Sequence, residues 1–199
     1  MRAIIGADNR TAGRVTLTRN GQSVTLSSYT SAVRNGVGYV PEERRTDGLA
    51  LIMTVSDNIR LPNRQHLSRF GIKVPRKIAE FAQELADKVG LRPPEIEREA
   101  GQYSGGNQQK VVLAKWLGRR PDFMVLDEPT NDLDVETLEM LEELLHTYDG
   151  TVLVITHDRA FLDNVVGSML VFEGDGVITE HVGGYTDWEA RGGRFRHTT

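Results

Sequence analysis

Two rhythms of apolar residues run along the chain. Unbroken apolar runs at 123–126 (FMVL) and 151–156 (TVLVIT) show no alternation with polar residues. That pattern belongs to strands covered on both faces, as in a parallel sheet with helices above and below. A three- and four-residue rhythm appears at 77–89, where Ile78, Phe81, Ala82, Leu85 and Val89 share one helical face, closed by Gly90 and by Pro93-Pro94. It returns at 108–117 and again at 135–146, where Val135, Leu138, Leu141 and Leu145 face inward while Glu136, Glu139, Glu142 and Glu143 face water. Residues 14–19 (RVTLTR) alternate and predict a half-exposed strand; Asn20-Gly21 is a hairpin turn, and 23–26 supplies the returning strand. Further predicted elements are a short helix at 31–34, a strand at 37–40 stopped by Pro41, a mostly helical region after 42–47, a helix at 159–165 and a closing hairpin of 169–172 with 177–181. The Gly- and Arg-rich tail is expected to fray.

Strands alternating with helices predict an α/β fold with a parallel core, and 199 residues make room for one such domain with a small insertion. In open α/β sheets ligands sit at the carboxyl ends of the strands. There the 123–126 run ends in Asp127, Glu128 and Pro129, and the 151–156 run ends in His157. Adjacent acids can divide labour, one holding a divalent cation and the other orienting or deprotonating a water; taken alone, they are equally an acidic turn after a core strand. Ser104-Gly105-Gly106-Asn107 opens the 108–117 helix. Paired glycines at a helix start let backbone N–H groups approach an anion, although a turn with Ser104 as its cap accounts for the same letters.

Composition narrows the setting. A net charge of −4 and a pI near 5.8 give no overall electrostatic case for binding DNA or RNA. The absence of cysteine removes disulfide and thiolate chemistry and accords with a reducing cytoplasm. No run approaches the roughly 20 apolar residues of a membrane span, and the N-terminus has too short an apolar core for a signal peptide. A cytoplasmic protein is expected, able to dock on membrane partners.

In sequence order, YSGGN with QQK and a helix, FMVLDEP, a loop ending NDLD, and a strand ending in histidine resemble the ATP-binding cassette (ABC) ATPases. Residues 1–126 are similar to the second cassette of bacterial monosaccharide importers, through GVGYVPEERRTDGLA, MTVSDNIRLP and SGGNQQKVVLAKWL; residues 127–199 are similar to ABC-F proteins, through DEPTNDLDVETLEMLEELL, VITHDRAFLDN and GGYTDW. The resemblance implies a P-loop NTPase-like sheet (1–53 and 121–199) carrying a helical signature subdomain (54–120), with ATP and Mg²⁺ as cofactors. It implies Asp127 as the Walker B metal ligand, Glu128 as the catalytic glutamate and His157 as the switch histidine near the γ-phosphate. Ser104, Gly105, Gly106 and Asn107 match the signature motif, Glu42 stands where most cassettes carry a magnesium-sensing glutamine, and Asp134 matches the loop that couples two cassettes. The implied partners are a second cassette and transporter membrane subunits at the cytoplasmic face of the inner membrane, or the ribosome for an ABC-F-like chain.

The phosphate-binding loop G-x-x-x-x-G-K-[ST] is missing from the 199 residues; Gly13 is followed by Arg14 and Val15. Aligned on the importers, Met1 to Ala7 corresponds to the helix just after that loop, so the domain reads as N-terminally incomplete. Without the loop's N–H groups and lysine, weak ATP binding and negligible hydrolysis are expected. Three readings remain: an importer ATPase or a piece of one, a non-catalytic half-cassette lending its signature motif in trans, and an ABC-F-like fragment.

Overall fold

The computed structural model describes residues 1–19, 21–69, 72–174 and 176–194. After an N-terminal series of hydrogen-bonded turns come the hairpin β1 (Thr16–Arg19) and β2 (Gln22–Thr25), helix α1 (Tyr29–Arg34) and strand β3 (Val37–Val40). Helix α2 (Val55–Leu67), a two-residue hairpin of β4 (Ser68–Arg69) and β5 (Ile72–Lys73), α3 (Pro75–Lys88) and α4 (Gly105–Leu117) make the helical region. The chain returns through β6 (Phe123–Asp127), α5 (Val135–His146), β7 (Thr151–Ile155), α6 (Arg159–Val165), the hairpin β8 (Ser168–Gly174) and β9 (Val177–Val182), and α7 (Tyr185–Ala190).

Strands β3, β6 and β7 form a parallel sheet in the order β3-β6-β7. Its register sets Val40 beside Leu126 and Asp127 beside Ile155, so the residues that follow the three strands emerge along one edge. β3 is buried throughout and the centre of β6 is buried, as their apolar sequences require. One apolar cluster joins the sheet to the helices: Val40, Leu126 and Met124 pack with Ile59 of α2, Leu85 of α3, Val112 and Trp116 of α4, and Leu141 of α5. Among the described residues no helix is long and apolar enough to cross a membrane.

Several expectations are corrected. β7 was expected to be buried on both faces, yet its central residues are half-buried and both its ends are exposed. Among the described residues it pairs with β6 alone. Thr151 N–H bonds to Asp122 O, and Ile155 O accepts from Glu128 N–H, so the odd-numbered residues of β7 turn their backbone polar groups toward β6. The N–H and C=O of Val152 and Val154 therefore face an open edge. The turns at 1–7 replace the regular helix implied by the importer alignment: Gly6 takes φ +74°, where a Cβ would lie 2.7 Å from Ser28 C. The tail is ordered as far as α7, because Tyr185 and Trp188 bury against Val171. Asn20 of the expected Asn20-Gly21 turn, and 195–199 of the tail, lie outside the described residues.

Lys115 sits in the interior beside Trp116, 5.5 Å from the ring centre, and donates to Gly48 O. Burial lowers its pKa to about 8, below the usual 10.5. Between those values the unfolded chain binds the proton and the folded chain does not. Folding stability should therefore rise with pH from about 8 to 10.5, by up to about 1.4 kcal/mol per pH unit. Urea unfolding of the wild type and Lys115→Met across that range should show the rise only in the wild type.

Candidate functional site

The carboxyl edge of the sheet gathers the acids and the histidine. Asp127 is the last residue of β6, and its Oδ2 accepts a 3.0 Å hydrogen bond from the Tyr39 hydroxyl of β3. Burial, followed by that bond to a carboxylate, raises the Tyr39 pKa well above its ordinary value, which keeps the hydroxyl a donor. Among the described residues Oδ2 is thus the one hydrogen-bonded oxygen of the Asp127 carboxylate. Glu128 adopts φ +44°, an unusual backbone for a non-glycine residue, secured by its N–H to Ile155 O at 2.8 Å. That turn sends its carboxylate toward the end of β7. There Oε2 accepts from His157 N–H at 3.2 Å and Oε1 lies 3.3 Å from His157 Nε2. The Glu128 side chain is only 10% exposed while that of His157 is 98% exposed, so the imidazole is the solvent-facing member of the pair. Just beyond the ends of β6 and β7 the Thr130 and Thr156 hydroxyls bond to each other at 3.0 Å.

Glu42 is exposed two residues beyond β3, on the same edge. The glycine loop lies at the start of α4. Ser104 occupies the N-cap position, but its expected capping bond is absent; its Oγ instead accepts from Asn107 Nδ2 at 3.0 Å. Asn107 is held in turn by Arg92 N–H, which donates to Oδ1 at 2.9 Å, and this tie competes with the cap. Asp134 caps α5 by accepting from Thr137 N–H at 2.8 Å; the Thr137 side chain first, and that backbone N–H second, hold its carboxyl below the ordinary pKa. The cap also faces the glycine loop: a Cβ on Gly106 would lie 3.0 Å from Thr137 Oγ1 and 3.3 Å from Asp134 Oδ2. The structure therefore brings Asp127, Glu128 and His157 together, and separately sets Asp134 against Gly106. Sequence reading missed Tyr39 and Arg44. A tyrosine within the apolar run 37–40 needs a partner for its hydroxyl, which was the available signal; Arg44 lay unremarked in a polar run.

Among the described residues no cluster of three or more His, Cys, Asp or Glu could hold a metal unaided. A single carboxylate suits a hard, largely hydrated ion such as Mg²⁺, which takes one or two protein oxygens and completes its shell with phosphate and water.

The family model described as ABC transporter matches residues 1–131. The chain belongs to the ABC transporter family. The ribose import ATP-binding protein RbsA of Lactococcus lactis is 36% identical over 146 residues, 73% of this chain and 29% of the relative. RbsA 2 of Mesorhizobium japonicum is 36% identical over 183 residues, 90% of this chain and 36% of the relative. The putative ribose/galactose/methyl galactoside import ATP-binding protein 1 of Burkholderia lata is 38% identical over 157 residues, 77% of this chain and 30% of the relative. The chain thus spans about a third of the length of these relatives. The ATP-binding cassette MJ0796, solved as a post-hydrolysis dimer bound to ADP and Pi, superposes with a TM-score of 0.72. At 23% identity over 91% of this chain and 78% of that one, it shows a shared P-loop NTPase fold, as the α/β reading expected.

Proposed function

We propose that this chain is the catalytic edge of an ATP-hydrolysing cassette that works with a second cassette and with membrane subunits in carbohydrate import. The observation that carries the reading is the contact of Glu128 with His157 across two strands, next to Asp127. In this reading Asp127 holds magnesium, which supplies charge neutralisation for the phosphates when bound. Glu128 accepts hydrogen bonds and orients a water. His157 offers an exposed imidazole to a phosphate oxygen. The loop of Ser104, Gly105, Gly106 and Asn107 faces the nucleotide of the second cassette, Glu42 senses the metal, and Asp134 lies at the junction between cassettes. The sheet (1–53 and 121–199) carries the acids and the helical subdomain (54–120) carries the loop. The likeness to import ATP-binding proteins supports sugar transport at the cytoplasmic membrane face.

The 199 residues hold no G-x-x-x-x-G-K-[ST] stretch, and such a loop makes most phosphate contacts in P-loop proteins. Calorimetric titration of these residues with Mg-ATP should give no binding tighter than about millimolar, a loss of several kcal/mol from micromolar affinity. Joining a phosphate-binding strand and loop ahead of Met1 should restore binding and turnover. A joined protein that binds nucleotide without hydrolysing it sinks the catalytic reading.

A second reading is favoured by the exposure of Ser104: a half-cassette that lends its glycine loop to an intact cassette. Mixing with a complete relative should then raise that partner's ATPase rate, and Ser104→Arg should remove the gain. Failure to form any complex ends it.

A further inference from the structure

Arg44 opens the π-helical turn of 44–48 that follows β3 and Glu42, closed by Leu49 N–H bonding to Arg44 O at 2.9 Å. Its side chain reaches away from that turn to two loops the sequence keeps far apart. Nη1 donates to Asn131 O at 3.3 Å, and Nη2 lies 3.5 Å from Asp132 Oδ2, both in the connection from β6 to α5. Nη2 also fills the space above Gly105, where a Cβ would sit only 2.6 Å away. The side chain is 11% exposed, and its Nε is buried with no hydrogen-bond partner among the described residues. Asp132 is 83% exposed and takes φ +57°, so its pairing with Arg44 is strongly screened.

Stability alone gives no reason for this arrangement. The two bonds are long, the ion pair is weak, and a buried donor without an acceptor costs free energy. A methionine, shorter but of nearly the same volume, would bury its side chain without leaving a polar atom unpaired. What only a guanidinium supplies is a flat fork that meets a carbonyl and a carboxylate while lying over a glycine. We propose that Arg44 is a positioning residue that locks the 104–107 loop and the 131–134 loop to the segment following Glu42, so that the three shift as one unit. The lock stands on contacts within this chain. Its consequence for catalysis rests on the nucleotide reading above, because each of the three segments carries a residue assigned there.

Amide hydrogen exchange of the whole chain tests the lock without nucleotide. In Arg44→Met, amides at 104–107 and 131–134 should exchange about tenfold faster, while those at 124–126 in β6 keep their wild-type rate. Arg44→Lys retains the charge but not the fork, and should recover only part of the protection. Gly105→Ala, whose Cβ would lie 2.6 Å from Arg44 Nη2, displaces the guanidinium without emptying the core and should speed exchange at 131–134 even if the methionine variant fails to fold. Unchanged exchange in both loops, or a rise that includes 124–126 equally, overturns the proposal. In the protein joined to a phosphate-binding loop, Arg44→Met should lower kcat more than it raises KM. If that joined protein is inactive while exchange responds as expected, the nucleotide reading fails and the lock stands; turnover with unresponsive exchange refutes the lock alone.

Discussion

Glu128→Gln, in the chain joined to a phosphate-binding loop, is expected to lower ATP turnover about 10²- to 10⁴-fold and to leave ATP affinity within a few-fold of the parent. The geometry favours a clean result. Glu128 Oε2 accepts from His157 N–H at 3.2 Å, and a carboxamide oxygen can do the same. The amide nitrogen would meet His157 Nε2, 3.3 Å from the present Oε1, and can donate to a neutral imidazole. Position 128 would keep its left-handed turn, since its N–H to Ile155 O is a backbone bond. Only the negative charge beside the water is lost. Single-turnover hydrolysis and equilibrium binding measured together separate the two effects, and turnover that survives the substitution removes Glu128 from the chemistry. His157→Ala should weaken turnover less, because its imidazole faces solvent and water can partly replace it.

The second large effect concerns association. Register places Phe172 opposite Ile178 and Leu170 opposite Glu180, so Leu170, Phe172 and Ile178 share the face of the β8–β9 hairpin turned away from the Val171–Trp188 cluster. All three are more than half exposed, with Phe172 at 75%. These side chains make an exposed apolar patch, and the backbone of Val152 and Val154 on β7, unpaired among the described residues, is a second, open sheet edge. The 199-residue chain should therefore self-associate as its concentration rises and should bind a hydrophobic dye such as ANS. Phe172→Ser with Ile178→Ser should reduce both while changing unfolding free energy by less than about 0.5 kcal/mol per site, as exposed positions do. Light scattering coupled to gel filtration settles this: a strictly monomeric chain at high concentration contradicts it. Addition of an apolar strand that pairs with β7, as in the joined protein, should lower association by satisfying the edge.

Local rules reached far into this fold. The helix at 135–146 was legible because Leu138, Leu141 and Leu145 recur at one period opposite an acidic face, although Val135, read as part of that inward stripe, is 70% exposed at the helix start. The strands at 37–40 and 123–127 were legible because burial on both faces demands unbroken apolar runs. The acids at 127 and 128 announced themselves by following such a run.

What local rules could not supply was relative placement. TVLVI has the composition of a central strand, and the sequence by itself determined only that it would be a strand. Whether it lies at an open edge depends on which neighbours are present, and that is a property of the assembled sheet. Ser104 has the chemistry of a cap, but a competing acceptor role toward Asn107, itself anchored by a loop fifteen residues earlier, arises only on folding. Tyr39 meets Asp127 across 88 positions, and Arg44 meets Asn131 and Asp132 across 87 and 88. Periodicity is set by each segment's own backbone geometry, so it can be read in isolation. A side-chain bond between distant segments is set by the register of the sheet that joins them, and only the tertiary structure decides it.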